Sequence, residues 1–458
     1  MPEKDIHYKQ YRQKNNATRM HDKESGTAGN TYKNNKTGLL AVSPMFFFAA
    51  LFLGISMLTG DFYKVSLSVV FTISSIYAIF TLKSRSISDR IRIFSSGAGQ
   101  ENLMMMLWIF IMAGAFAQTA KDIGAIDAAV NITLSLLPAH LVLVGLFAAS
   151  CFVSLSIGTS VGTTAALVPI ASGIATNTGE PVALVVAIVV GGAFFGDNLS
   201  LISDTTIAAT KTQNCELSDK FKANFQIVLP AAIITAILYI LSGTQSPYSA
   251  SITTTDLIKV IPYVAVLITA IAGMNVFAVL LMGNVLAGII GLTTGCTGIE
   301  GWLVSTGKGI MSMGELIIIS MLAGGMLEVI KANGGIDYII GMLSKRINGK
   351  RGGELCIGAI VSLTNLCTAN NTVAIISVGK IAKEISNKYG INPCKSASIL
   401  DTFSCVVQGL IPYGAQILMA AGLSGTNPVT IVPYMYYPMI MGVVTIGAIL
   451  LKFPKKYS

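Results

Sequence analysis

Apolar runs of about twenty residues recur along nearly the whole chain, and a run of that length crosses the hydrocarbon core of a bilayer as one α-helix. They are Gly38–Leu58, Val65–Leu82, Leu103–Ala120, His140–Thr178, Pro181–Thr210, Phe225–Ser242, Leu257–Gly273, Asn275–Thr293, Glu315–Ile330, Glu354–Lys380, Ser396–Ala421 and Val429–Leu451. Only 12% of the 458 residues are charged, about half the share in a soluble domain. Such a chain cannot cover a globule's surface with charge. The pattern predicts an all-α polytopic membrane protein with about ten crossings. Residues 1–37 carry eight Lys/Arg and four acidic residues among Asn, Thr and Gln. This stretch cannot bury a core and is expected to be a basic cytoplasmic tail, mostly disordered. It lacks the apolar run of a signal peptide. Its charge reads as a positive-inside signal, so no nucleic-acid partner is expected. The seven cysteines are scattered without a CxxC, and they read as small packing residues.

The runs repeat in order. Ala113–Asp127 matches Ala323–Asp337 at an offset of 210 residues. The break at 158–164 falls opposite Cys367–Val373, and Gly196–Ser200 falls opposite Leu400–Ser404. This predicts two transmembrane repeats, 38–242 and 257–452. The loop near Leu134–His140 has no Lys or Arg, whereas its counterpart holds Lys345, Arg346, Lys350 and Arg351. Ala171–Pro181 has none, and its counterpart holds Lys380, Lys383, Lys388 and Lys395. The relation reverses after the next segment, where Lys211, Lys220 and Lys222 face an uncharged Gly422–Thr430. Basic loops stay cytoplasmic, so the repeats should be inverted. Each would hold five crossings plus a re-entrant hairpin and a broken helix. Both termini would then be cytoplasmic.

Broken backbone at membrane depth survives only where protein or a water-filled cavity satisfies it. Inverted repeats with broken helices are the pattern of secondary transporters, whose sites lie at the breaks. Four breaks occur here. The hairpin tips offer Thr159, Ser160 and Thr163 on one side, and Asn365, Thr368, Asn370 and Asn371 on the other. The broken helices offer Asp197, Asn198, Ser200, Ser203 and Asp204, then Asp401, Ser404 and Gln408. Small residues there can also simply allow close helix packing, but four such clusters in symmetric positions point to a site. Their oxygens suit a hard cation, with Asp197 and Asp401 the candidate Na⁺ ligands. A carboxylate at the bilayer centre costs at least about 2.5–3.5 kcal/mol, tolerable if it holds a cation or a proton. Burial disfavours the charged form and a neighbouring cation favours it, so one carboxylate cannot hold both well. An Asp there can also serve merely as a helix cap. Glu328, at the place of Gln118 in repeat one, is either a proton carrier or a structural pair for Lys331, three residues on.

The runs Gly196-Asp-Asn-Leu-Ser-Leu-Ile-Ser-Asp-Thr-Thr206, Leu400-Asp-Thr-Phe-Ser-Cys-Val-Val-Gln-Gly-Leu-Ile-Pro-Tyr-Gly414 and Gly158-Thr-Ser-Val-Gly-Thr163 resemble the NhaC-type sodium/proton antiporter family, within the ion-transporter superfamily. The likeness covers roughly residues 40–450. It implies exchange of Na⁺ for H⁺ across the cell (inner) membrane. The alternative that it implies is a Na⁺- or H⁺-coupled carrier of a small organic anion such as malate or lactate. In one departure, the family pattern places Lys after the GD aspartate and this chain has Asn198. No enzyme activity and no cofactor are expected. The partners are Na⁺, H⁺ and the lipid bilayer, with a second copy in a homodimer as a further candidate. An intramembrane aspartyl hydrolase using Asp197 and Asp401, or a passive channel, explains the paired repeats less well than a transporter does.

Overall fold

The computed structural model describes residues 35–59, 66–83, 85–242, 253–344 and 347–457. Most of the basic tail, the turn with Asp61 and Lys64, and the loop charges Lys345 and Arg346 lie outside the described residues. Among those described, all regular structure is helical. The first series is α1 (Asn35–Thr59), α2 (Leu67–Thr81), α3 (Ile87–Ala98), α4 (Glu101–Asp122), α5 (Ala125–Leu136), α6 (Val142–Ile157), α7 (Ser160–Thr178), α8 (Val182–Leu199), α9 (Asp204–Gln213) and α10 (Leu217–Ser242). The second is α11 (Thr254–Lys259), α12 (Ile261–Ile271), α13 (Val276–Thr293), α14 (Ile299–Ser312), α15 (Gly314–Ala332), α16 (Gly335–Ser344), α17 (Gly349–Thr368), α18 (Asn371–Tyr389), α19 (Pro393–Gln408), α20 (Ala415–Ser424), α21 (Pro428–Ile431) and α22 (Tyr436–Leu450).

Among the described residues, six helical stretches are long and apolar enough to cross a membrane: 103–122, 182–213, 217–242, 254–271, 276–293 and 299–332. The bent pair Pro428–Tyr434 and Tyr436–Leu450 makes a seventh. The remaining apolar helices, such as α2 and α6, are shorter. Their exposed faces are rich in Leu, Ile, Val and Phe, as lipid-facing surface must be. This is a multi-pass membrane protein. Runs of apolar residues mark most of the helices, but they do not announce α5, α14 and α16, which are short or carry polar faces.

Helix ends recur with the same offset as the sequence. Left-handed residues stand at Gly124 and Gly334, at Gly158 and Ala369, at Gly179 and Gly390, and at Asn214 and Gly425, each pair 210 or 211 residues apart. Such residues satisfy the last carbonyls of a helix and turn the chain. Packing between the two series is reciprocal. α3 packs on α15 while α14 packs on α4; α9 packs on α18 while α20 packs on α7. Both crossings of the first kind are glycine contacts. A Cβ on Gly97 would lie 2.4 Å from the Gly324 carbonyl oxygen, and one on Gly114 would lie 2.3 Å from that of Gly309. Small residues let helix backbones touch where lipid supplies no hydrophobic drive.

This register corrects one expectation. The bond from Ser154 Oγ to Ala193 O, 2.6 Å, recurs 211 residues later as Asn365 Nδ2 to Ser404 O, 2.7 Å. At that offset Asp197 falls opposite Gln408, and Asp401 opposite Val190. Asp197 sits near the end of α8, whereas Asp401 sits mid-way along α19. The two aspartates are therefore not equivalent. The short motif match placed them in register because it weighed an Asp and a Ser above the helix lengths around them.

Candidate functional site

α8 ends at Leu199 and α9 starts at Asp204, so the broken span is interrupted at 200–203; its counterpart is interrupted at 409–414 between α19 and α20. The hairpin tips are tight. Gly158 (φ 75°) closes α6 and Thr159 caps α7. A Cβ on Gly158 would meet Ile202 Cγ1 at 2.5 Å, in the first break. Opposite, Ala369 (φ 48°) closes α17 and Asn370 Oδ1 accepts from Val373 N at 3.0 Å. The starts of α7, α9, α18 and α20 all border one cavity of about 550 Å³.

Asp197 is the buried carboxylate of this cavity. Ser160 N donates to its Oδ1 at 3.0 Å, and Ser160 Oγ donates to its Oδ2. The first residue of α7 thus presents its N–H, its hydroxyl and the positive end of the helix to one anion. Gln416 Nε2 donates to the same Ser160 Oγ at 2.8 Å. Thr159, Ser160, Ser203, Asp204, Asn370, Asn371 and Gln408 also line the cavity. Asp204 is exposed to it at the start of α9.

Other expected residues are buried beside the cavity, bonded within the protein. Thr163 Oγ1 donates to Thr159 O, Ser200 Oγ to Leu155 O, Thr368 Oγ1 to Asn370 O, and Ser404 Oγ to Asp401 O. Asn198 turns its amide back to Phe194 O, at 3.0 Å, and offers its own carbonyl to Lys220 and Asn224. Glu328 is elsewhere, on α15 against α3. It accepts from Gln100 Nε2 at 2.9 Å and stands 3.9 Å from Lys331 Nζ. Of its two readings, the geometry favours the structural pair.

Lys220 is the largest departure from expectation. Its sequence context is a basic loop, yet its side chain is 1% exposed. α10 already begins at Leu217, and Lys220, in its first turn, points inward. Nζ donates to Asn198 O (2.7 Å), to Thr206 Oγ1 (2.7 Å) and to Asp401 Oδ2. Asp401 is thus neutralised by a lysine from the other series, while among the described residues no ammonium bonds Asp197. Lys395, also read as a loop charge, is buried and donates to Phe453 O. A further correction concerns the cysteines. Cys215, just after α9, and Cys394, in the first turn of α19, form a disulfide with Cα atoms 5.3 Å apart. The packing of α9 on α19 brings them together, which no spacing along the chain reveals.

A sequence model of the Na⁺/H⁺ antiporter family matches residues 18–244 and 248–453. The chain is 25% identical over 397 residues to the Na⁺/H⁺ antiporter NhaC of Bacillus subtilis, covering 78% of this chain and 85% of that protein. It is 22% identical over 379 residues to the malate-2H⁺/Na⁺-lactate antiporter of the same organism, covering 75% and 80%. Among solved structures, the Alcanivorax borkumensis YdaH transporter covers 90% of this chain and 99% of its own at 14% identity and a TM-score of 0.41, a likeness too loose to build on.

Proposed function

The chain belongs to the Na⁺/H⁺ antiporter family and exchanges Na⁺ for H⁺, and we propose that the exchange takes place at Asp197. The observation that carries this reading is a buried carboxylate on the cavity, held by Ser160 N–H and Oγ–H and, among the described residues, without an ammonium partner. Na⁺ would bind the carboxylate with hydroxyl and amide oxygens of the two hairpin tips, Thr159 and Asn370 among them. A proton arriving from the other side displaces it, because the neutral carboxyl no longer attracts a cation. Asp401, paired with Lys220, keeps the broken helices in place. No cofactor takes part.

The fold would work by alternating access between two inverted repeats, 38–242 and 257–452, in the cell membrane, with both termini cytoplasmic. Reciprocal packing of the two series supports a two-fold relation. The exposed charges Lys211, Lys222, Arg351 and Lys388 support the orientation. A homodimer embedded in lipid is the proposed assembly. A second reading, carriage of a small organic anion, draws on the cavity, whose 550 Å³ exceeds what a bare cation needs and which four helix starts surround.

Everted vesicles with a pH-sensitive dye separate the two readings. Added Na⁺ alone should collapse a preset pH gradient, and Asp197→Asn should abolish the response while leaving the protein folded in the membrane. Wild-type exchange in Asp197→Asn would place the site elsewhere. A response that requires added malate or lactate would favour the second reading.

A further inference from the structure

Four hydrogen bonds, from three buried donor groups, link the two hairpin tips in this site. Gln408 Nε2 donates to Gln416 Oε1 at 3.1 Å. Gln416 Nε2 donates to Ser160 Oγ at 2.8 Å, and Ser160 Oγ donates to Asp197. Gln408 Nε2 also donates to Ala369 O, the left-handed residue at the second hairpin tip, at 2.9 Å. Gln408 ends α19 and Gln416 lies in the first turn of α20, so the pair spans the second break. Both are buried, and Gln408 Oε1 is buried without a partner. The chain therefore begins at one hairpin tip and ends on a carboxylate held by the other.

We propose that Gln416 and Gln408 are positioning residues that couple the state of Asp197 to the second hairpin tip. A hydroxyl has one proton and an amide has distinct donor and acceptor ends, so the chain has a direction. With Asp197 ionised, the bonds from Gln408 through Gln416 and Ser160 point towards it and each polarises the next. When Asp197 takes a proton on Oδ2, that proton donates to Ser160 Oγ. The Ser160 hydroxyl must then turn to Gln416, which flips to present Oε1. Gln416 Nε2 now faces Gln408, which flips to present Oε1, the atom left unpartnered in the ionised arrangement. Its Nε2 swings off Ala369 O, and the second tip is released. Protonation of a residue in the first series thus loosens the hairpin of the second, whereas a bound cation keeps the chain in its original direction. The ionisable groups around Asp197 are Asp204 and the cavity-lining Lys211 on α9, Lys220 on α10, which bonds Thr206, and Asp401 and Cys405 on α19. α7, α20 and α21 bring none, and α6, the 432–434 turn and α22 bring only the thiol of Cys151 and the phenols of Tyr434, Tyr436 and Tyr437. Asp204 makes no bond in this relay, and replacing Asp197 separates its effect.

The coupling rests on Asp197 as the shared site, and amide hydrogen exchange of the full-length protein in detergent tests it separately from transport. The probes are the N–H groups of Ala369, Asn370 and Val373, each bonded within the tip. In Na⁺-free buffer, after correction for intrinsic rates, acidification should raise their exchange about fivefold, the worth of one neutral hydrogen bond. Excess Na⁺ should reverse the rise. Asp197→Asn should remove the pH step. Gln408→Leu should leave the tip fast at both pH values, and Gln416→Leu should leave it slow at both, since Gln408 then keeps Ala369. Opposite effects from two adjoining glutamines are not what loss of packing produces. A pH step that persists in Asp197→Asn, or its absence in the wild type, would overturn the coupling even if Asp197→Asn abolishes transport. Those two measurements decide the matter should a glutamine variant not fold.

Discussion

Removal of the Lys220 ammonium tests whether Asp401 is a structural partner. In Lys220→Met a chain of similar length stays in place, but three bonds go: those to Asn198 O, Thr206 Oγ1 and Asp401. Asp401 is fully buried, so its carboxylate is left without a counter-charge. Breaking a buried pair from one side costs about 3–5 kcal/mol, mostly from the charge left behind, whereas removing both partners is often close to neutral. Lys220→Met and Asp401→Asn should therefore each destabilise the protein by about that amount. The double variant, which holds no buried charge there, should recover a coupling energy of about 2–3 kcal/mol. Unfolding of purified protein in detergent can be followed through its two tryptophans, Trp108 and Trp302. If Lys220→Met is as stable as the wild type, the lysine does not occupy the buried position described. If the double variant is destabilised by the full sum of the two single effects, the two residues are not a pair.

Glu328→Gln should leave exchange intact and cost under about 1 kcal/mol, because Glu328 and Lys331 are each more than a quarter exposed and sit 3.9 Å apart; abolished exchange would return Glu328 to the transport path. Cys215 and Cys394 join the two series. With a protease site inserted at 243–252, the cleaved halves should run as one band on a denaturing gel until reductant is added, and immediate separation would show free thiols. Gly97→Leu and Gly114→Leu should each destabilise by about 1–3 kcal/mol, since even a Cβ would lie within 2.4 Å of a facing carbonyl oxygen; unchanged melting would mean that these helices are not in contact.

Most of the helices were legible in the sequence because lipid demands long apolar runs, and their breaks were legible because Gly, Ser, Thr, Asn and Asp interrupt those runs. Asp197, Ser160, Asn370, Asn371 and Gln408 could be picked out for that reason. What stayed hidden depends on direction in space. Lys220 lies among Lys211 and Lys222 in the sequence, and only the start of α10 at Leu217 turns it inward. Gln416 follows a Gly-Pro-rich break and looks like any polar residue at a helix start. Its role needs the packing of α20 on α7, which brings it to Ser160. Along the chain, a buried cation and a solvated one in the same basic stretch look alike.

The two series of helices carry an asymmetric charge set, and that asymmetry bears on stoichiometry. Opposite Asp197 stands Gln408, which cannot ionise, and opposite Asp401 stands Val190. The Lys220–Asp401 pair is neutral as a unit. If it stays paired through the cycle, a single carboxylate changes partner, and one Na⁺ leaves for each H⁺ that enters. The exchange should then be electroneutral. In liposomes with K⁺ and valinomycin, imposing a membrane potential of either sign should leave the initial rate of Na⁺-driven proton movement unchanged. The apparent Na⁺ affinity should weaken about tenfold per pH unit below the carboxylate's titration point, because one proton must leave before one ion binds, while the rate at saturating Na⁺ changes far less. A rate that follows the imposed potential would mean that more than one proton moves per ion. The exposed Asp204, on the same cavity, or an opened Lys220–Asp401 pair would then have to carry the second. Repeating the assay in Asp204→Asn separates these, since voltage dependence that survives this change must come from the buried pair.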